Sequence, residues 1–241
     1  MPKKAIEPNA QKVTGLIYDG DQLYHHGSPV EASPITTVLQ DFSDFLGDSP
    51  TVLYGHNIKS FDCHVLLNTA KACDQLDSFQ AKIKGFVDTL PLFKLVYPGL
   101  PTYKQTELYS RFVGESYQAH DALADVRALQ RLVQNACDEK YFSRVSHTWQ
   151  YILDVQSQTK LRNQLEGSWG PLVEDKTISK TMSQKAASSG LGVQHLCLAF
   201  RRGGCEAVKA VLSELRPDGH VRVTAGKRVL ERIAVRISEL E

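Results

Sequence analysis

Two short stretches of the chain combine residue types that could activate water. His120-Asp121-Ala122-Leu123-Ala124-Asp125 sets an imidazole five residues ahead of a carboxylate, and His56-Asn57-Ile58-Lys59-Ser60-Phe61-Asp62 ends in another carboxylate. Two carboxylates brought together without a cation repel each other, so one stays protonated or the pair holds a divalent metal. A histidine beside them could deprotonate water near neutral pH. Carboxylates, hard metal ions and a histidine base are the groups that drive in-line attack of water on a phosphodiester, with two metals on the attacking and leaving oxygens. Each residue also has a plain structural role open to it. An aspartate in a helix's first turn complements the macrodipole, and His56-Asn57 suits a turn.

The elements around these residues give the pattern its order. Thr51-Val52-Leu53-Tyr54 is a short β-branched and apolar run broken by Gly55, which predicts a strand followed by a turn. A helix is expected from about Ser60 to Cys73, with Phe61, Val65, Leu66, Thr69 and Ala72 as its buried stripe and Asp62 at its start. Lys84 to Leu90 predicts a second strand, closed by Pro91. A helix from about Tyr103 to Val113 follows. The clearest helical pattern runs from about Asp121 to Asn135, where Ala122, Val126, Leu129, Val133 and Ala136 share a face and Asp121 suits the N-cap. The order is therefore strand, acid at a helix start, strand, then histidine and acid at another helix start.

Upstream, residues 1–34 are punctuated by Pro and Gly, and Val13 to Tyr18 fits a short strand or a loop on the core. Ile35, Val38, Leu39, Phe42 and Leu46 predict a helix between Pro34 and Gly47. Downstream, a long helix is expected over about 142–165. Gly167, Gly170 and Pro171 suggest a linker over 167–177. Four short helical segments then predict a small helical domain over 178–241.

Composition narrows the class. The chain has 241 residues and a net charge of +1, so bulk charge points to neither nucleic acid nor membrane. The five cysteines form no CxxC pair, which favours reduced thiols in an intracellular protein over a zinc module. No apolar run is long enough to span a bilayer, so no membrane partner is expected. Lys59, Arg111, Tyr103, Tyr109 and Tyr117 near the motifs could serve a nucleic-acid groove.

The two motifs in this order resemble the DEDDh family of 3′–5′ exonucleases, which have a ribonuclease H-like fold. The resemblance implies that Asp62 and Asp125 bind metal and that His120 is the general base. It implies two Mg2+ (or Mn2+) ions as cofactors, and it places His56 and Asn57, with Thr14, Gly15 and Leu16, against substrate. The gap between Asn57 and Phe61, Leu108-Tyr109-Ser110-Arg111-Phe112, and Pro8-Asn9-Ala10 ahead of Val13-Thr14-Gly15-Leu16 are similar to the three-prime repair branch of the family. Gly190 to Leu196 and Lys227 to Leu230 resemble the tail of exonuclease-like proteins related to the long isoform of the promyelocytic leukaemia protein.

One motif of that family is missing. A D-x-E on the first, central strand supplies two of the four metal-binding carboxylates, and no D-x-E occurs in this chain. Asp19-Gly20-Asp21 reads as a turn rather than a substitute. The expected fold is thus α/β: an N-terminally truncated ribonuclease H-like exonuclease domain over 1–166, the linker, and an all-helical domain. Either the chain is a truncated product of an active exonuclease or its domain has become a binding module. The intact second and third motifs favour truncation. Metal binding is expected to be weak or absent, because magnesium demands near-octahedral coordination, and hydrolysis is expected to be impaired. The expected partners are 3′ ends of single-stranded DNA or RNA. Proteins are expected at the helical domain, and the nucleus rather than the cytoplasm is the expected compartment.

Overall fold

A computed structural model describes residues 5–136 and 139–241; Met1, Pro2, Lys3, Lys4, Cys137 and Asp138 lie outside them. The chain forms one compact unit ending at Leu153 and a second over Asp154–Glu241.

The first unit is mixed α/β. Helix α1, Pro8–Thr14, has Pro8 in its first turn, where the missing N–H costs nothing, and it stops at Gly15 in the left-handed conformation (φ 68°). A small antiparallel sheet follows, β1 Leu16–Tyr18, β2 Leu23–His25 and β3 Ser28–Val30 in that order. Its first turn is the one expected at Asp19-Gly20-Asp21, with Asp19 Oδ1 accepting from the N–H groups of Asp21 and Gln22.

Helix α2 spans Ile35–Leu46 and ends at Gly47, as its sequence predicts. The second sheet is built from β4 Thr51–Gly55, β5 Ile83–Asp88 and β6 Ser146–His147 in the order β4-β5-β6. β4 and β5 run parallel, with Gly55 opposite Asp88, and β6 is antiparallel to β5. Between β4 and β5 lie α3, Asp62–Ala72, and α4, Leu76–Lys82. A parallel pair needs such a crossover. Leu67, Ala70, Phe79, Phe86, Trp149 and Ile152 fill the core on this side, and Trp149 Nε1 donates to the Ile83 carbonyl at 3.0 Å.

Beyond β5 come α5 Thr89–Val96, α6 Gln105–Val113 and α7 Ala122–Ala136. Pro91 does not close β5, as the sequence suggested; it lies within the first turn of α5, whose N-cap is Asp88. A proline is tolerated there because first-turn N–H groups have no intrahelical acceptor. The helix expected over about 142–165 also differs. Glu139–Arg144 is a 3₁₀ helix ahead of β6, and α8 runs over Trp149–Ser168.

Two helix faces are turned relative to their expected stripes. Helix α3 buries Cys63, Leu67 and Ala70, while Phe61 is 66% exposed and Val65 is exposed too. Helix α7 buries Ala128 and Leu132 against Phe93, Leu108 and Tyr109, leaving Val126 65% exposed. Periodicity fixes that a stripe exists, but neighbouring elements choose which of two adjacent stripes is covered.

The second unit is helical. The stretch read as a linker is instead core: α9, Gly170–Glu174, follows Trp169, and both Trp169 and Leu172 are fully enclosed. Trp169 Nε1 donates to the Leu191 carbonyl at 3.0 Å. The glycines at 167 and 170 mimic a linker only in composition. Helix α10, Lys180–Ser188, is capped by the Ser179 hydroxyl. Val193–Ser213, α11, consists of two helical stretches separated by a non-helical break at Gly203-Gly204, as two of the four short helical segments expected from the sequence. Gly204 adopts φ 62°, ψ −156°, a conformation essentially closed to other residues. It packs along α12, Lys227–Ser238, through Leu196, Val208, Leu212, Ile233 and Ile237. No helix among the described residues is long and apolar enough to cross a membrane.

Trp169→Ala removes the largest side chain of this core and its hydrogen bond. It is expected to destabilise the helical unit by about 3–5 kcal/mol, read as a shift of its transition in urea unfolding followed by far-UV circular dichroism.

Candidate functional site

The turn after β4 is built with little freedom. A side chain at Gly55 would place its Cβ 2.6 Å from the Cβ of Ile58, so this position requires glycine while Ile58 is buried beneath it. Asn57 then adopts the left-handed conformation at φ 65°, which asparagine tolerates better than most residues. The Cys63 N–H bonds back to the Ile58 carbonyl at 3.0 Å, and this starts α3 with Asp62 in its first turn.

Much of the turn is held by residues of the β5–α5 junction. The Asp88 carboxylate, 3% exposed, accepts from the Asn57, Lys59 and Leu90 N–H groups at 3.0, 3.3 and 3.0 Å. His56 Nε2 donates to the Tyr103 carbonyl at 2.8 Å, which leaves Nδ1 to accept from the Thr89 hydroxyl at 3.0 Å. That carbonyl can only accept, so it fixes the tautomer. Burial, the largest influence, pushes the His56 pKa below its ordinary value. Both ring nitrogens of this imidazole are engaged within the protein.

The second motif sits at the start of α7. Asp121 Oδ1 accepts the Ala124 N–H at 2.8 Å, the N-cap bond that its position predicts. His120 is exposed in the left-handed conformation (φ 71°), and its N–H donates to Asp125 Oδ2 at 3.1 Å. Gln105 Nε2 bridges the Asp125 carbonyl at 2.8 Å and the Tyr117 hydroxyl at 3.0 Å. Burial, reinforced by a hydrogen bond to the Asp125 carboxylate, pushes the Tyr117 phenol up to about 12. Asp125 is thus oriented by its own turn and by Tyr117.

Asp62, His120 and Asp125 line one cleft of about 900 Å3, with Leu53, Ile58 and Val126 on its apolar part and Lys104 as a cation. His56 also lines it. The protein around the Asp62 carboxyl raises its pKa above the ordinary aspartate value, and the Asp88 charge adds to this, while Asp62's own N–H opposes it. The same surroundings push the Cys63 thiol up to about 12, through burial first and then the charges of Asp62 and Asp88. Its thiol is therefore a poor nucleophile. Cys63, Cys73, Cys197 and Cys205 are free thiols.

The donors do not fit a pair of divalent ions. Among the described residues no three His, Cys, Asp or Glu side chains are grouped to hold a metal. The cleft offers two carboxylates, and Asp125 already accepts two protein donors. A magnesium ion would be left with most of its octahedron to fill from water.

Thr14, Gly15 and Leu16 are not among the residues lining the cleft. The Thr14 hydroxyl donates to the Ala10 carbonyl and accepts from the Leu16 N–H, and Gly15 lies directly against the His26 ring. The Asn57 side chain does not line the cleft either. Tyr103 and Tyr109 are structural: the Tyr103 hydroxyl donates to the Tyr97 carbonyl, and Tyr109 is buried in the α5–α7 core. Sequence reasoning passed over Asp88, Thr89 and Gln105. For Asp88 a signal existed, an acid closing the apolar run Gly85-Phe86-Val87.

A family model described as Exonuclease matches residues 2–133, and one described as PML, C-terminal domain, matches residues 166–239. No single curated protein matches the chain.

Because folding raises the pKa of Asp62, its ionised form carries a penalty in the native state above that pKa. The penalty disappears as pH falls below the unfolded value, where both states are protonated. Asp62→Asn is therefore expected to raise stability slightly at pH 7, by about 0.5 kcal/mol or less after solvent screening, and the gain should close toward pH 3. Thermal unfolding of both proteins across that range checks the sign.

Proposed function

This chain belongs to the exonuclease family over residues 2–133, and from that premise we propose that its cleft takes the 3′ end of single-stranded DNA or RNA while phosphodiester hydrolysis is impaired for want of metal donors. The observation that carries the proposal is the convergence of Asp62, His120 and Asp125 on one cleft of about 900 Å3. Its size suits a nucleotide or two, its apolar part suits a base, and Lys104 offers a cation to phosphate.

His120 is the group available to hold a proton at its imidazole, exposed at the cleft, with its backbone N–H bonded to Asp125 Oδ2. Divalent ions, as the family generally uses, supply charge stabilisation and an activated water where four carboxylates bind them. Here two carboxylates remain, so no step is assigned to bound metal. The work left to this chain is binding and orientation of the strand end. The match of residues 166–239 to the PML C-terminal domain favours a second activity, protein association through the helical unit in a nuclear setting.

Retention of a 3′-labelled single-stranded oligonucleotide by the full-length chain should weaken steeply between about 50 and about 200 mM salt, as released counterions require. With Mg2+ or Mn2+, cleavage is expected to stay at the level of a protein-free control. Cleavage that His120→Ala and Asp125→Ala both abolish would overturn the impairment. Absence of salt-sensitive binding would overturn the nucleic-acid role.

A further inference from the structure

An N-cap aspartate needs one backbone partner to do its work, and Asp88 has it in the Leu90 N–H. Its other two bonds, to the Asn57 and Lys59 N–H groups, reach across the sheet to the turn after β4. Those amides belong to a turn that cannot satisfy itself through the ladder. β4 ends at Gly55, α3 begins at Asp62, and Asn57 sits in a left-handed conformation. Such a conformation in a non-glycine residue persists only where its surroundings over-determine it. Asp88 is 3% exposed, so its charge has little water to compete with these amides. The next residue acts in concert, since the Thr89 hydroxyl donates to His56. Residues 88 and 89 therefore grip 56, 57 and 59 together.

We propose that Asp88 is the positioning residue of the cleft. Its carboxylate clamps the β4–α3 turn to the start of α5 and thereby sets where the first turn of α3 presents Asp62. Register supplies the reason it can do so: Gly55 pairs with Asp88 in the parallel ladder, so the two strands deliver the turn and its clamp to the same end of the sheet. From there, the bond from Cys63 N–H to the Ile58 carbonyl carries the turn's position into α3. The clamp follows from the structure alone; its effect on strand-end binding rests on the function proposed above.

Two substitutions in the full-length chain separate the clamp from the cap. In Asp88→Ser the shorter side chain still caps α5 but no longer reaches Asn57 or Lys59. In Asp88→Asn the oxygen that serves Asn57 and Leu90 is retained, and only the bond from Lys59 is lost. Amide hydrogen exchange should quicken roughly tenfold across 56–62 in the serine variant and less in the asparagine variant. Exchange in α5 and α6 should be unchanged in both. Affinity for the labelled oligonucleotide should fall in the same order. Unchanged exchange over 56–62 in Asp88→Ser overturns the proposal, as does exchange that quickens uniformly through the first unit. Unaltered affinity in a chain that binds the oligonucleotide also overturns it. If the parent chain binds no oligonucleotide, the nucleic-acid role falls, and the exchange pattern still decides the clamp.

Discussion

A charge taken out of water must find partners, and in the first unit that requirement falls on Asp88. The carboxylate ends β5, caps α5 and holds the turn after β4 in one stroke. Everything that reaches the cleft from the strand side depends on this junction. His56 is held by Thr89 and Tyr103, Ile58 is pressed under Gly55, and Asp62 starts the helix that follows. The helix side is fixed by different means. Asp121 caps α7, Asp125 takes the His120 N–H, and Gln105 of α6 ties α7 to Tyr117.

The two sides meet with chemistry that is only half complete. A cleft with two carboxylates and an exposed histidine has the shape of a hydrolytic site and too few oxygens for its metal. Burial first, and then the Asp88 charge, raise the pKa of Asp62 above the ordinary aspartate value.

The helical unit obeys a simpler rule. Its core is apolar and continuous from Trp169 to Ile237, and its charged groups pair at the surface, Arg236 with Asp175 and Glu239, and Lys209 with Glu206. The basic residues of α12 are thus partly neutralised by neighbours, and Arg232 is engaged with the Thr177 carbonyl. Pairs as exposed as these contribute little to stability, which leaves the packing of α11 on α12 to hold the unit together.

The sequence by itself determined the local elements and the identity of the chemical groups. Helix α2, strand β4, the cap at Asp121 and the Asp19 turn stand where residue types and spacing put them, because each is decided by neighbours a few residues away. The motifs likewise named Asp62, His120 and Asp125, which the fold gathers in one cleft. Only the tertiary structure decided which faces are covered. Phe61, Val65 and Val126 lie in regular helical stripes yet face outward, and the glycine-rich stretch around Trp169 is core rather than linker. It also decided that Thr89 and Tyr103 hold the His56 ring, and that Asp88, silent in the motifs, takes the N–H groups of the turn after β4. The reason is physical: burial and long-range hydrogen bonds join residues some thirty positions apart, such as Asn57 and Asp88, and no local pattern encodes which distant group will arrive.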